Sequence, residues 1–199
     1  QFVSVELSAV YHDTVKDRLY TSLANSPRRR STQTALYRLI QSFTKMLSPM
    51  LVFTADEAWE AIPHLDSGSV HLADWEPFEF SISADEAANW QTLFAIRERA
   101  LPVLEEARQA KRIGKGLEAC VTLAGTGREL EISRSNQEDL RELLNVSQLI
   151  LNEGEADKLQ SVVAKADGKK CERCWRWETS VGAHKEHPTL CTRCVEAVS

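Results

Sequence analysis

The 199-residue sequence has the composition of a globular protein, with 43% hydrophobic and 27% charged residues. This balance excludes a disordered or fibrous chain, and the length leaves room for one or two domains. The formal net charge of −5 argues against nonspecific nucleic-acid binding over the whole surface. However, residues 1–50 carry seven basic and three acidic side chains, and residues 165–199 carry seven and five. A polyanion could therefore still bind at either end of the chain.

The sequence predicts neither a membrane segment nor a secretion signal. No apolar run approaches the roughly 20 residues of a membrane helix. The first residues lack the basic region and apolar run of a signal peptide. An amphipathic pattern is already under way at Phe2, and no initiator Met precedes it. We therefore expect no membrane partner, and we expect this chain to be the tail of a longer polypeptide.

Three helices are predicted in the N-terminal half, where apolar residues recur at spacings of three and four. The first covers residues 2–20. The second runs over 31–62 with a kink at Pro49, because a proline inside a helix removes one backbone hydrogen bond. Residues 63–83 are predicted to be a connection, and a third helix covers 84–112. Helices of this length with short connections predict an antiparallel bundle.

The pattern changes after Gly114 and Gly116 into shorter elements that alternate strand and helix character. The predicted elements are a strand at 117–123, a strand at 128–133, a short helix at 138–144, and further elements at 146–151 and 159–163. Gly125-Thr126-Gly127 lacks the third glycine of a dinucleotide loop and is predicted to be a hairpin turn. Together these elements predict a small mixed α/β unit.

The C-terminal segment carries two Cys-x-x-Cys pairs. Cys171 and Cys174 are separated by sixteen residues from Cys191 and Cys194. Each pair forms a tight knuckle that directs two thiolates at one point, and two knuckles make the tetrahedral sulfur cage that Zn²⁺ prefers. Four protein ligands leave no open position, so we predict one structural zinc ion, whose binding supplies folding energy to this short segment. Disulfides or a redox pair are the alternative.

Three other side chains could take part in metal or thiol chemistry. His184 and His187 lie between the two cysteine pairs and could replace a cysteine, but with four thiols present they are predicted to be loop residues. Cys120 falls on a predicted strand and is predicted to be a buried apolar residue.

The change of pattern along the chain predicts three domains. They are a helical bundle at 1–112, a small α/β unit at 113–167 and a zinc ribbon at 168–199.

Arginine and tryptophan side chains surround the predicted metal site. Guanidinium groups suit phosphate pairing, and aromatic rings on a rigid knuckle suit base stacking. The alternative is that one tryptophan packs the knuckle against its neighbour and the arginines are solvated. The candidate RNA-binding residues of this cluster are Arg173, Trp175, Arg176, Trp177 and Arg193.

Two further basic clusters are candidates for phosphate contacts. One is predicted at a helix–helix turn and consists of Arg28, Arg29 and Arg30. The other straddles the glycine junction and consists of Lys111, Arg112 and Lys115. Either cluster could equally be a solvated turn.

No arrangement of residues predicts catalysis in this chain. The sequence has no Walker loop, no nucleophile elbow, and no Cys–His pairing outside the cysteine-rich segment. Asp56-Glu57 and Glu105-Glu106 are adjacent carboxylates on predicted helices, where neighbours in sequence point apart. We therefore predict no catalytic residue.

Several short stretches along nearly the whole chain occur in an order typical of one family. They are 7–9 with Tyr11, 16–20, 34–37, 47–49, 53–59, 69–72, 105–108, 113–119 and 170–175. In this order they resemble the C-terminal region of the bacterial isoleucyl-tRNA synthetases. The helical stretches alone are also similar to the valine, leucine and methionine enzymes. The Ile-Gly and Leu-Glu-Ala motifs of 113–119 and the Cys-x-x-Cys-Trp motif of 171–175 favour the isoleucine family.

This resemblance implies a division of labour. The bundle would be the anticodon-binding domain of a class I synthetase, and the α/β unit and ribbon would help to hold the anticodon arm of the isoleucine tRNA. In that family the ATP-binding catalytic fold and the editing domain lie upstream, and their motifs are absent from this sequence. The parent protein would be a cytoplasmic isoleucine–tRNA ligase that binds ATP only in its catalytic domain.

Gly116 departs from the family, which places a small hydroxyl residue before the Leu-Glu-Ala motif. The ribbon also resembles the zinc finger of the formamidopyrimidine-DNA glycosylases, although no lysine or N-terminal proline nucleophile is in place. A zinc-stabilised protein-interaction module and a DNA-binding module therefore remain alternatives.

Overall fold

The computed structural model describes residues 1–65, 68–76 and 78–199. Its α-helices are α1 (Asp13–Thr21), α2 (Pro27–Leu47), α3 (Val52–Glu60), α4 (Ala84–Gln109), α5 (Gly127–Ser135), α6 (Gln137–Leu144) and α7 (Thr192–Glu196). Its strands are β1 (Ala119–Gly125), β2 (Gln148–Glu153), β3 (Gln160–Lys165), β4 (Lys169–Lys170) and β5 (Trp177–Glu178). A π-helical segment, Phe2–His12, leads directly into α1, and 3₁₀ turns occupy Val70–Leu72 and Gly116–Glu118. The predicted fold class, mainly helical with a small α/β unit and a C-terminal cysteine ribbon, is confirmed.

The chain divides into two compact units. One comprises residues 1–23 together with 82–199, and the other comprises residues 24–81. These two units do not coincide with the three predicted domains at 1–112, 113–167 and 168–199, which remain a prediction. Part of the predicted connection at 63–83, namely Asp66, Ser67 and Pro77, lies outside the described residues. None of the helices in the described ranges is both long and apolar enough to cross a bilayer.

In the smaller unit, α2 and α3 replace the single kinked helix that we predicted. Helix α2 begins at Pro27 rather than near residue 31, because proline at the first helical position needs no N–H partner and has a helical φ. Pro49 interrupts the helix completely between α2 and α3 instead of kinking it. The two helices then enclose a small core that consists of Ala55, Trp59, Ile62 and Val70.

The larger unit is built on a three-stranded sheet with the strand order β2-β1-β3. Strand β1 runs parallel to β2 and antiparallel to β3. The core combines the sheet with α4, α5 and α6, and its most enclosed apolar side chains include Leu93, Ile96, Val121, Leu123 and Leu140. One continuous core therefore joins the third predicted helix to the α/β unit.

The strand predicted at 128–133 is wrong, because these residues form α5. The predicted hairpin turn at 125–127 is also wrong, since it joins β1 to a helix and Gly127 takes a left-handed φ of 71°. Parallel pairing of β1 with β2 requires a crossover rather than a hairpin. Leu130 and Ile132 imitate strand alternation over a short window, but Arg, Glu and Leu favour helices and both apolar side chains are buried.

The ribbon has a small hairpin and a short helix in place of an apolar core. Strand β4 pairs antiparallel with β5, with Lys169 opposite Glu178 and Lys170 opposite Trp177. Gly168 precedes the hairpin with a φ of 91°, and a Cβ there would lie 2.4 Å from the carbonyl of Glu178. Only glycine fits this turn without displacing the backbone.

Candidate metal centre and nucleic-acid surface

The two cysteine pairs meet at one buried point. The four sulfur atoms of Cys171, Cys174, Cys191 and Cys194 lie within 4.8 Å of one another, and all four residues are buried. They form no disulfides. Tight turns position them, since Trp175 N donates to Cys171 O and Cys194 N donates to Cys191 O, each at 2.9 Å.

This donor set fits zinc. Four sulfur ligands with no carboxylate favour Zn²⁺ over harder cations. Within the described residues the cluster contains only the four cysteines, so His184 and His187 are not part of it. Because all four ligands come from the protein and are enclosed, the site suits a structural ion that links the two knuckles. The prediction of one structural zinc ion is confirmed.

Burial and hydrogen bonding have opposite effects on the pKa values of the cluster thiols. Burial raises the pKa of Cys174, and it raises the pKa of Cys191 to about 11. Burial also acts on Cys171, but backbone N–H groups outweigh it and lower its pKa to about 7. One of these donors is Cys191 N, which lies 3.4 Å from Cys171 Sγ. A bound metal displaces the thiol protons.

A single carboxylate on α1 attaches the ribbon to the rest of the larger unit. Arg193 contacts both oxygens of Asp17, with its Nη2 donating to Oδ1 at 2.8 Å. Arg176 Nη2 lies 3.3 Å from Asp17 Oδ2, and its Nη1 donates to Val146 O at 2.9 Å. Burial alone would raise the pKa of Asp17, but the two arginines lower it to about 2. Asp17 is therefore held as the carboxylate.

The third arginine of the ribbon also bonds within the chain. Arg173 Nη1 donates to Thr21 O, and its Nη2 lies 3.4 Å from Tyr20 O, at the end of α1. Arg173 Nη1 also lies 3.7 Å from Cys194 Sγ. Guanidinium and backbone donors beside the sulfurs stabilise thiolate charge and orient the ligands. The arginines that the sequence associates with RNA thus connect the metal cluster to α1.

The two tryptophans of the ribbon differ in exposure. Trp175 is 61% exposed and has a left-handed φ of 64°, so its ring stands out from the knuckle. Trp177 is partly buried, and its backbone N donates to Ser147 Oγ at 2.8 Å. Two lysines absent from the predicted site accompany these rings, namely Lys165 and Lys170. The only signal for them in the sequence is the excess of basic residues at the C-terminal end.

The other two basic clusters lie elsewhere. Arg28, Arg29 and Arg30 belong to the smaller unit. We predicted that they lie at a helix–helix turn, but they lie in the first turn of α2. Lys111 and Lys115 are exposed after the end of α4. Arg112 Nη1 donates to Val163 O at 3.2 Å, so this arginine ties the junction to β3.

The departure at Gly116 has a steric cause. A Cβ at this position would lie 2.9 Å from Asn145 O, which is closer than side chains approach a backbone oxygen. Asn145 ends α6 with a left-handed φ of 52°. The close approach of the two backbones explains why no side chain stands at position 116.

Residues 1–123 match the family described as the anticodon-binding domain of tRNA ligase, and the chain belongs to this family. Residues 168–197 match a second family, the zinc finger found in FPG and IleRS.

The chain is similar to proteins named isoleucine–tRNA ligase. It is 38% identical over 201 residues to that of Caldicellulosiruptor saccharolyticus, covering 99% of this chain and 22% of the relative. It is 42% identical over 208 residues to that of Syntrophotalea carbinolica and 41% identical over 208 residues to that of Shouchella clausii. Both alignments cover 100% of this chain and 22% of the relative. The chain therefore spans about a fifth of the length of these curated relatives.

Proposed function

We propose that this chain is the C-terminal tRNA-binding part of an isoleucine–tRNA ligase and that it holds the anticodon arm of the isoleucine tRNA. The observation that carries the proposal is the order of two matches on one chain: an anticodon-binding domain over 1–123, then a zinc finger over 168–197. The similarity to isoleucine–tRNA ligases over the whole chain supports the choice of amino acid. In this proposal, ATP-dependent aminoacylation and editing belong to other domains of the parent polypeptide, which works in the cytoplasm. Reduced cysteines in a metal cluster fit that compartment.

In the proposed mechanism the zinc ion is held by the four clustered thiolates and supplies a rigid link between the two knuckles. The arginines of the ribbon then fix its position against α1 through Asp17. This leaves Trp175 on the surface, where its ring can stack on an unpaired base. Exposed cations would contact the phosphates, which makes binding sensitive to salt. We propose phosphate contacts for Arg28, Arg29, Arg30, Lys111, Arg112 and Lys115, and base stacking for Trp175 and Trp177.

Three of the predicted RNA contacts are not part of this proposed RNA-binding surface. The side chain of Arg176 is 2% exposed, and its guanidinium faces Asp17 and Val146. Arg193 is engaged by both oxygens of Asp17, and Arg173 donates to Thr21 O at the end of α1. We assign all three arginines to attachment of the ribbon.

A binding comparison tests the proposal. The 199-residue chain is titrated against an isoleucine tRNA transcript and against the same transcript with an altered anticodon, at two salt concentrations. We expect the altered transcript to bind more weakly and both affinities to fall with salt. Equal affinity for the two transcripts, or no binding to either, would contradict the proposed role.

A surface of the smaller unit supports packing against further domains of the same polypeptide. Met50, Phe53 and Leu72 are 71%, 88% and 83% exposed. His71 Nε2 lies 3.2 Å from Val52 O, so the segment that carries Leu72 contacts the start of α3, which carries Phe53. Exposed apolar patches of this kind mark contact surfaces. We propose that the catalytic part of the ligase covers this one.

Hydrogen exchange measures that contact directly. The amides of 50–53 and 71–72 should exchange faster in the 199-residue chain than in an intact ligase that contains it. Exchange at the same rate in both proteins would argue against burial of this surface. Capture of other proteins through it, unaffected by nuclease, would favour the alternative of a protein-interaction module.

A further inference from the structure

A cavity in the larger unit reaches one cysteine of the metal cluster. It has a volume of about 560 Å³ and is enclosed by α1 and the first cysteine knuckle. Within the described residues Cys174 is the one cluster cysteine that lines it. Charged and aromatic side chains share its walls, namely Lys16, Tyr20, Arg173, Trp175 and Arg176. The four thiols of the cluster are therefore not equivalent towards a small molecule that enters from solvent.

The exposed fractions of the cysteines show the same difference. Cys174 is 7% exposed, whereas Cys171 and Cys194 are 0% exposed and Cys191 is 2% exposed. Oxidation of a cysteine depends on its thiolate character and on its access to solvent. All four sulfurs are thiolates when they hold a metal ion, so access decides which of them reacts first.

The charged groups around the cavity favour attack by a thiolate. Asp13 and Asp17 also line its walls, but each is paired with a cation. Lys16 Nζ lies 2.9 Å from Asp13 Oδ1, and Arg176 Nη2 lies 3.3 Å from Asp17 Oδ2. The guanidinium group of Arg173 adds a further positive charge. Positive charge beside the reacting sulfur stabilises an anion that leaves during the reaction.

We propose that Cys174 is an oxidation site for hydrogen peroxide, and that the oxidised Cys174 forms a disulfide with Cys191. The sulfur atoms of these two cysteines lie 3.8 Å apart and belong to different knuckles. The inference goes beyond the proposed function and does not rest on it, because it concerns only the reactivity of the cluster thiols.

The reaction proceeds in two displacements. The Cys174 thiolate attacks one oxygen of the peroxide, so an S–O bond forms, the O–O bond breaks and hydroxide leaves. The Cys191 thiolate then attacks the sulfur of this sulfenic acid, so the S–S bond forms, the S–O bond breaks and a second hydroxide leaves. The two thiolates together lose two electrons to the peroxide. The two hydroxides take up two protons from solvent and become water.

Loss of two thiolates out of four removes half of the metal ligands. A sulfur in a disulfide carries no negative charge and is a poor ligand, so the oxidised cluster should no longer retain zinc. Zinc release therefore reports the reaction without any measurement of tRNA binding.

Peroxide treatment of the zinc-loaded 199-residue chain tests the proposal. Released zinc is followed with a chromogenic chelator, and samples taken early are alkylated and digested with trypsin without reduction. Each cluster cysteine then lies in a different tryptic peptide, because cleavage follows Lys170, Arg173, Arg176, Lys185 and Arg193. We expect the first disulfide to join the peptides of Cys174 and Cys191, with one zinc ion released for each disulfide. Dithiothreitol and added zinc should restore the metal content.

A variant of the cavity wall tests the route of entry. Trp175→Ala removes an aromatic ring from the wall beside Cys174 and should speed zinc release by peroxide on the order of threefold or more, because oxidation follows access. Trp75→Ala removes an exposed tryptophan of the smaller unit and should leave the rate unchanged. Both variants should hold one zinc ion before treatment.

Three results would overturn the inference. The first is a set of early disulfides that leaves Cys174 reduced. The second is full retention of zinc at a peroxide concentration that already oxidises Cys120, the buried cysteine outside the cluster. The third is the same rate of zinc release in Trp175→Ala and in wild type. None of these results bears on tRNA binding, so the proposed function would stand.

Discussion

Asp17 has an unusual place in this chain, because one carboxylate joins a helix near the N-terminus to the C-terminal ribbon. Its side chain is 15% exposed, and its partner Arg176 is 2% exposed. A buried pair of this kind does not by itself add much stability, but the loss of one partner leaves the other charge buried without compensation. The contact therefore helps to fix the ribbon against α1, together with the bonds of Arg173 to Thr21 O and Tyr20 O.

Replacement of Asp17 by asparagine should weaken the attachment of the ribbon to α1. We expect Asp17→Asn to lower the free energy of unfolding by about 2 to 4 kcal/mol, since the Arg176 guanidinium stays buried without its counter-charge. Chemical denaturation measures the change. Glu6→Gln, at an exposed carboxylate of the preceding helical segment, is the control and should stay within about 0.5 kcal/mol of wild type. A similar loss in both variants would exclude a specific role for Asp17.

The pH dependence of the stabilisation by Asp17 follows from the direction in which folding shifts the pKa of its carboxyl group. The pKa of Asp17 is lowered from 3.8 to about 2 in the folded chain, so its stabilising effect is fully present above pH 3.8 and disappears as the pH falls towards 2. The difference in unfolding free energy between wild type and Asp17→Asn should therefore be constant from pH 5 to pH 8. Denaturation curves at several pH values measure it. A difference that shrinks between pH 7 and pH 5 would show that another group controls the contact.

The ribbon, 168–199, is an element whose core is its metal cluster. The buried cluster consists of the four cysteines, with Val181 and Leu190 packed against it. The apolar cores formed around α3 and around β1 do not include it. Removal of the metal should consequently unfold the ribbon and leave the two apolar cores intact.

A cysteine substitution tests this independence. Cys191→Ser should abolish zinc binding and unfold only about the last 30 residues, because metal binding supplies the folding energy of this segment. Zinc assay and hydrogen exchange should show loss of protection in 168–199 and retained protection in α4 and β1. Cys120→Ser provides the matched control, since Cys120 lies buried on β1 outside the cluster and its variant should retain one zinc ion. Loss of protection throughout the chain in Cys191→Ser would contradict independent folding.

Helix α4 was predictable from the sequence, whereas the break between α2 and α3 and the helical conformation of α5 were not. Helix α4 was predicted within three residues at each end, because 26 residues of helical periodicity begin after a Ser83 cap that accepts from Glu86 N. Helix α5 has only nine residues, too few for periodicity to separate it from a strand. Its conformation follows from the parallel pairing of β1 with β2, which involves residues distant in sequence.

Over the whole molecule, the net charge of −5 averages parts of unlike charge. The arginines of the ribbon are used in attachment, and its lysines remain on the surface. The metal site is thus linked to the attachment of the ribbon and to its surface, because the cluster joins the first knuckle, next to Trp175 and Arg176, to the second, which carries Arg193.

Metal removal should therefore reduce RNA binding while most of the secondary structure remains. We expect a chelator to weaken tRNA binding on the order of tenfold or more, because the stacking and cationic groups of the ribbon lose their fixed arrangement. Circular dichroism should retain most of its helical signal, and added zinc should restore affinity. Full tRNA affinity in a chain shown to be free of zinc would contradict a role for the ribbon in binding.

The sequence alone establishes the metal site and helix α4, because both depend on local spacing: two residues between paired thiols, and three or four between apolar side chains. The tertiary structure decides whether a basic side chain is buried in the attachment of the ribbon or remains exposed. Arg176 and Lys170 are both basic residues beside a cysteine pair, yet one is buried against Asp17 and the other is exposed beside Trp175. Asp17 is more than 150 residues away in sequence, and no local pattern reports such a contact, because desolvation and charge pairing are properties of the folded surroundings.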